Sequence, residues 1–277
     1  MRIFRKLTAV LVLLGCLAGF VVWENVSIQT ERFTVTLASL PKEFDGLRLA
    51  VLADLHGRQF GQDSAALLQA VKKARPDLIC LTGDLFDENT ERSVLPPLLK
   101  GLTDLAPVCY VTGNHEWQVE GLRQLLASME AAGVVVLQNE YALLRRGEAA
   151  LVVAGVDDPC GPADKKTPRA LVEEIHADLG DPCILMLSHR NDELPLWAGL
   201  GVDLVLSGHC HGGVIRLPFL GGVFGTEHRL FPKYDGGLYR SAGTTLFVSR
   251  GLGLGRLPLR LNNRPQLAVL TLRCPKT

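Results

Sequence analysis

Neither sign of charge is in excess in this chain. Twenty-nine lysines and arginines balance 29 aspartates and glutamates over 277 residues. That balance excludes a polyanion groove for non-specific nucleic-acid binding, which needs clustered basic side chains; a local basic pocket around one phosphate remains compatible with it. Aromatic residues make up only 6% of the chain, so a basic, aromatic-studded stripe for single strands is also missing. The seven cysteines are an odd number without a C-x-x-C pair, which argues against a disulfide framework and a structural zinc knuckle. Cys80, Cys109 and Cys183 fall in apolar runs and read as small buried hydrophobes. Internal repeats and low-complexity tracts are absent. Residues 251–255 (GLGLG) are followed by no helical pattern, so a dinucleotide turn is not supported.

What is there is a composition of 47% hydrophobic and 21% charged residues, that of a globular chain long enough for one large α/β domain. Residues 7–23 form an apolar run with Thr8 its only polar member, preceded by Arg2, Arg5 and Lys6 and followed by Glu24. At helical rise the run reaches about 26 Å, the short end of a bilayer span. We read residues 1–24 as an uncleaved single-pass anchor. The basic flank predicts the N-terminus inside and the remaining chain outside the cytoplasm. A cleaved signal peptide is the competing reading: Leu13-Leu14-Gly15-Cys16 resembles a lipoprotein cleavage box, but the apolar run continues past Cys16. Residues 25–46 are expected to be a tether with an edge strand, and 47–277 a single domain.

Alternating buried strands and amphipathic helices in the first half imply parallel pairing by right-handed crossovers. Many strands and few helices in the second half imply a second, mixed sheet. Residues 212–240 are rich in Gly, Pro and aromatics and read as a long functional loop. Its Phe219, Leu220, Val223 and Phe224 are expected to pack beneath that loop, the alternative being a lip for an acyl chain or a bilayer.

Five of the seven histidines lie in an ordered series of motifs: Asp54-Leu55-His56, Gly83-Asp84, Gly113-Asn114-His115-Glu116, Ser188-His189 and Gly208-His209-Cys210-His211. Each follows an apolar run that reads as a strand, and ligands of open α/β sheets bind beyond the carboxyl ends of strands. The i, i+2 spacing in Asp54/His56 and His209/His211 predicts extended segments with both side chains on one side. Five unpaired polar strand-end sites would be costly in a purely structural role, and carboxylate, amide and imidazole donors together suit Mn²⁺, Fe or Zn²⁺. His176, on a helix, and His228, in the loop, read as non-ligands. Asp87 is expected to bond a loop backbone. Arg58 and Arg190 follow ligand motifs and are candidates to hold phosphate oxygens, with solvated surface arginines as the alternative.

The series resembles the calcineurin-like metallophosphoesterase superfamily, whose pattern is D-x-H, G-D-x-x-D, G-N-H-[DE], a lone His and G-H-x-H. With the N-terminal anchor it looks most like the bacterial membrane-associated phosphodiesterase-like branch. The resemblance implies a four-layer α/β/β/α sandwich of two mixed sheets with two divalent metals at the sheet edge. Asp54, His56 and His211 would hold the first metal, Asn114, His189 and His209 the second, and Asp84 would bridge them. His115 would act in catalysis without being a ligand. The expected activity is hydrolysis of a phosphoester or phosphodiester by a two-metal-activated hydroxide. The expected substrate is lipid- or envelope-derived, and the protein a monomer at the cell membrane with no nucleic-acid partner. The alternatives are a pyrophosphatase acting on a lipid-linked or nucleotide-sugar substrate, and a non-catalytic metal-binding recognition protein. Two departures from the pattern stand out: Glu88 follows Asp87 where the family often has arginine, and Cys210 replaces the usual threonine at a position expected to point outward.

Overall fold

The computed structural model describes residues 2–226, 229–255 and 257–276; His228 lies outside the described residues. The chain starts in a 25-residue helix, α1 (Arg2–Val26). Its apolar part, Phe4–Val26, has a mean hydropathy of 2.2 and is long and apolar enough to cross a membrane. Strand β1 (Gln29–Thr36) begins three residues later and pairs in parallel along its length with the last strand, β14 (Gln266–Arg273). The edge strand expected within residues 25–46 is this β1, which lies at the margin of its sheet.

That first sheet also holds β2 (Arg48–Leu52), β3 (Leu78–Thr82), β4 (Val108–Val111) and β5 (Val134–Val136), in the order β1-β14-β2-β3-β4-β5. The second is built from β6 (Glu140–Arg146), β7 (Ala149–Gly155), β8 (Ile184–Leu187), β9 (Leu204–Ser207), β12 (Gly237–Ser241) and β13 (Thr244–Val248), in the order β12-β13-β9-β8-β7-β6. β2, β3, β4 and β5 run parallel, as do β7, β8, β9 and β13. Antiparallel partners (β14 on β2, β6 on β7, β12 on β13) make both sheets mixed.

The pleat explains the uninterrupted apolar runs. In β3, Ile79 and Leu81 face one core while Leu78 and Cys80 face another. In β8, Leu185 and Leu187 face inward between the sheets, and Ile184 and Met186 face outward. A strand buried on both faces has no polar side to alternate with. Helices α2 (Ala65–Ala74), α3 (Leu95–Thr103) and α4 (Leu122–Ala131) cover the outer face of the first sheet through Leu67, Leu98 and Met129. Helices α5 (Pro168–Leu179) and α6 (Leu194–Leu200) cover the second through Ile175 and Trp197. The architecture is the expected α/β/β/α sandwich.

The loop over residues 212–240 is less irregular than its composition implies. It holds a hairpin of β10 (Arg216–Leu217) and β11 (Gly221–Gly222) and leads into β12. Its apolar tip does not pack beneath the loop as expected: Phe219 is fully exposed, and Leu220 is 66% exposed.

Candidate metal centre

Five loops leave the carboxyl ends of β2, β3, β4, β8 and β9 and meet at one edge shared by both sheets. They are tied by backbone. The Asp54 amide donates to the Gly83 carbonyl and the His56 amide to the Asp84 carbonyl, both at 3.0 Å, and the Gly208 amide donates to the His189 carbonyl at 3.1 Å. Carboxylates join the same seams. Asp84 Oδ1 accepts from the His115 amide at 2.9 Å, and Asp54 Oδ1 accepts from the His209 amide at 2.8 Å.

The i, i+2 motifs are not extended. Asp54, His56, Asp84, His209 and His211 have φ between 48° and 71°, in the left-handed region. For non-glycine residues this costs about 1–3 kcal/mol each, sustained where the surroundings over-determine the turn. Gly83, at φ 86°, is required where it stands. A Cβ there would lie 2.7 Å from both the Gly113 nitrogen and His189 Nδ1.

Two clusters of donors result, each with its atoms within 4.8 Å of one another: Asp54, His56 and His211, and Asp84, His189 and His209. A third grouping of His56, Asp84 and His115 links them. Asn114 lines the same cleft, of about 970 Å³. In the first cluster His56 Nδ1 faces the Asp87 carboxylate at 3.4 Å, which leaves Nε2 pointing at His211 Nε2 across 3.2 Å. In the second, His189 Nδ1 donates to the Thr82 carbonyl at 2.9 Å. Its Nε2 therefore carries the lone pair, 3.1 Å from His209 Nδ1 and 3.3 Å from Asp84 Oδ2. Asp54 Oδ2, Asn114 Oδ1 and His211 Nδ1 are buried without a partner. Orphaned acceptors and facing imidazole lone pairs are what a cation would satisfy, so the donor set fits divalent metal ions.

The charges are strongly coupled. Burial works against ionised His189, yet the Asp84 and Asp54 carboxylates prevail and push it up to about 10. Burial likewise opposes ionised Asp84, but His189 and His56 hold it well below the usual carboxylate range. Burial, with the charges of His189 and Arg190, brings His209 down to about 3. His211 is also held low, by burial first and then by His56 and Arg260.

The two arginines proposed from sequence part company. Arg190 lines the cleft, but its Nε and Nη2 grip Asp158 at 2.6 and 2.9 Å, and its Nη1 sits 3.1 Å from His209 Nε2. Arg58 turns away to the Asn25 carbonyl and stacks on Phe60, outside the cleft lining. His115 lines the cleft edge-on to His56, with Nδ1 3.9 Å from Glu88. His176 stays remote from the site, its Nδ1 bonding the Gly180 carbonyl at the end of α5. Cys210 does not point outward to solvent. It is buried in the core of the second sheet, where a small thiol serves as a hydrophobe.

Three residues of the site go unread in the sequence. Glu116 is fully buried and accepts from the amides of Asp84, Leu85, Phe86 and Gly113; the G-N-H-[DE] pattern was the available signal. Asp158 is the partner of Arg190. Arg260 lies buried near Asp54, its guanidinium bonded to the Gly253 and Arg250 carbonyls at 2.8 Å, and burial lowers it to about 9.

The Calcineurin-like phosphoesterase family profile matches residues 47–213. The chain is 29% identical over 255 residues to the uncharacterized metallophosphoesterase YkuE of Bacillus subtilis, covering 89% of this chain and 86% of that protein. It is 30% identical to the phosphodiesterase YaeI of Escherichia coli, covering 81% and 82%. It is also 29% identical to a transmembrane protein with metallophosphoesterase domain of Danio rerio, covering 86% of this chain and 56% of that one. Ligand-type residues at five strand ends, in the order and over the stretch that the profile spans, identify the chain as a phosphoric ester hydrolase that belongs to the calcineurin-like phosphoesterase family.

Proposed function

We propose that the protein is a two-metal phosphodiesterase held at the cell membrane by α1, with its catalytic domain outside the cytoplasm. Asp54, His56 and His211 would hold one divalent cation; Asn114, His189 and His209 would hold the other. The observation that carries this reading is the position of Asp84 Oδ2, 3.3 Å from His189 Nε2 and 3.8 Å from His56 Nε2. One carboxylate oxygen reaches both clusters and is placed to bridge them. When bound, such a pair supplies Lewis acidity to the phosphoryl oxygens and acidifies the attacking water.

The chain's own residues do the rest. Asp87 fixes the His56 ring through Nδ1 and is itself held by Thr90 Oγ1 at 2.9 Å and the Asn89 amide at 3.0 Å. The Thr82 carbonyl fixes His189 in the same way. Arg190, aligned by Asp158, presents Nη1 toward the cleft beside His209. His115, which lines the cleft edge-on to His56, would give a proton to the departing oxygen. The relative YaeI is named a phosphodiesterase, and Arg2, Arg5 and Lys6, in the first turns of α1, support an N-terminus of this chain on the cytoplasmic side. Anchoring favours a lipid- or envelope-derived phosphate ester acted on by a monomer.

The direct test is manganese-stimulated release of nitrophenol from bis(nitrophenyl) phosphate by the detergent-solubilised protein, abolished by chelator and restored by Mn²⁺. Absence of turnover with Mn²⁺, Fe²⁺ and Zn²⁺ alike overturns the proposal. His115→Ala is expected to lower kcat about 10²–10⁴-fold while metal content by mass spectrometry stays that of the parent; an unchanged kcat removes His115 from the chemistry. Asp87→Asn is expected to weaken Mn²⁺ binding about 10–100-fold by loosening His56, read as a rightward shift of the Mn²⁺ activation curve at nearly constant maximal rate.

A further inference from the structure

The outer end of α1 is fastened to the metal centre by the stretch around Arg260, in addition to the Arg58 bond to the Asn25 carbonyl. Asn25 clasps the backbone of Arg260 from both sides: its Nδ2 donates to the carbonyl at 3.0 Å and its Oδ1 accepts from the amide at 2.8 Å. Glu24, buried, accepts from the Asn263 amide at 3.1 Å. Arg264 reaches back to the Ser27 and Ile28 carbonyls and lies 4.4 Å over the ring of Trp23. The other side of the same stretch holds the site. Asn263 Nδ2 donates to the His211 carbonyl at 2.8 Å, and Gly255 lies against the His211 ring. A tryptophan at the end of an apolar helix, with an arginine over it, marks headgroup depth. The segment leading into Arg260 is therefore placed at the bilayer boundary, and it carries Leu257 and Leu259, both exposed.

The apolar surface continues from there through hydrogen-bonded backbone. The Arg216 amide donates to the Leu261 carbonyl at 2.9 Å and the Val223 amide to the Ile215 carbonyl at 2.9 Å, and Phe224 bridges Leu230. This ladder supports the β10–β11 hairpin, whose tip is the fully exposed Phe219 and Leu220. Leu257 and Phe224 belong at once to this surface and to the lining of the metal cleft.

We infer that the hairpin tip and the segment before Arg260 form a second membrane contact, continuous with α1, that seats the mouth of the metal cleft against the lipid headgroups. The occupant is the bilayer in which α1 is embedded. Continuity with the helix end commits the surface to lipid, because the same segment joins Trp23 on one side and borders the cleft on the other. Apolar tips flanked by polar backbone-bonded segments dip into the boundary region without spanning it. A substrate phosphate carried by a lipid then meets the cleft at its own depth, without leaving the membrane. The inference rests on α1 being an intact anchor and deepens the proposed function by setting where the substrate is met.

The test uses full-length protein in vesicles of equimolar phosphatidylcholine and phosphatidylglycerol, with acyl chains brominated or not, and reads tryptophan emission. Trp23 is the internal reference, its share of the parent's emission read by difference from Trp23→Phe because Trp117 and Trp197 also emit, and each added indole is read by difference from the parent. The indole added by Phe219→Trp, and separately by Leu257→Trp, is expected to lose half or more of its emission in brominated vesicles and to resist aqueous acrylamide. An indole added by Leu179→Trp, at the end of α5, is expected to respond to acrylamide alone. Quenching of the Phe219→Trp indole by acrylamide and not by bromine, with Trp23 still bromine-quenched, overturns the inference and leaves the anchor standing. Shielding from both quenchers also overturns it and points to a second copy of the chain. If Trp23 is not quenched by bromine, the anchor and the inference fall together. Turnover of bis(nitrophenyl) phosphate by the parent protein, which tests the proposed function, is independent of all these outcomes.

Discussion

Asp84→Ala is expected to lower turnover of bis(nitrophenyl) phosphate by about 10⁴-fold or more, with the secondary structure intact by circular dichroism. Three losses coincide at this one side chain. Its Oδ2 is the only carboxylate oxygen set between His189 and His56 among the described residues, so removing it separates the two half-sites. Its Oδ1 accepts from the His115 amide, so the proposed proton donor loses its placement too. Its carboxylate is the largest favourable influence on the buried His189, so that imidazole loses the partner that faces its Nε2. Each tenfold in rate corresponds to about 1.36 kcal/mol, and loss of electrostatic stabilisation at a transferring phosphoryl group amounts to several kcal/mol. The combined effect therefore exceeds that of His115→Ala. Because both substitutions strike the same unit, the double variant is expected to match Asp84→Ala alone, as residues acting together do not add. Turnover within tenfold of the parent at full metal occupancy removes the bridging role.

Much of this was legible in the sequence, for identifiable reasons. The parallel strands of the first sheet fall where the alternation of buried runs and amphipathic helices puts them, because right-handed crossovers leave few other solutions. The ligand candidates were legible because each ends an apolar run, and strands ending at one edge must deliver their next residues to it. What failed depended on tertiary partners. Spacing cannot report φ, so Asp54-Leu55-His56 read as extended when the backbone pairing of two loops bends it into the left-handed region. Arg58 and Arg190 look equivalent in sequence. Asp158, 32 residues before Arg190, claims one of them, and the end of α1 claims the other. The tip at Phe219 was assigned to the interior on composition alone, which cannot register a hairpin that carries it outward. Arg260 left no trace at all: nothing beside it announces a guanidinium bonded to three carbonyls beneath a metal site.

Glu116 is where the fold and the site depend on the same atoms, and Glu116→Gln is expected to cost about 3 kcal/mol of stability. The carboxylate collects the amides of Asp84 at 2.9 Å, Leu85 at 2.7 Å, Phe86 at 3.2 Å and Gly113 at 2.6 Å. It thereby stitches the loop after β3 to the loop after β4, the two that deliver Asp84 and Asn114. Burial, with the neighbouring Asp84 charge, pushes its carboxyl up to about 7 against the pull of those amides. A glutamine amide keeps the shape but turns one acceptor into a donor aimed at donors. At least one buried amide is then left without a partner, and another bond loses its charge. A change of that size lowers the thermal midpoint of a domain this large by about 10 °C, measurable by near-ultraviolet circular dichroism on the detergent-solubilised protein. The same variant is expected to bind Mn²⁺ more weakly, because the Asp84 and Asn114 loops are no longer tied. Asp87→Asn supplies the contrast: it is predicted to weaken Mn²⁺ binding with a shift of under about 2 °C, since Asp87 is partly exposed and bonds only its own loop and His56. A Glu116→Gln protein that melts within about 2 °C of the parent shows that the two loops are held by other means.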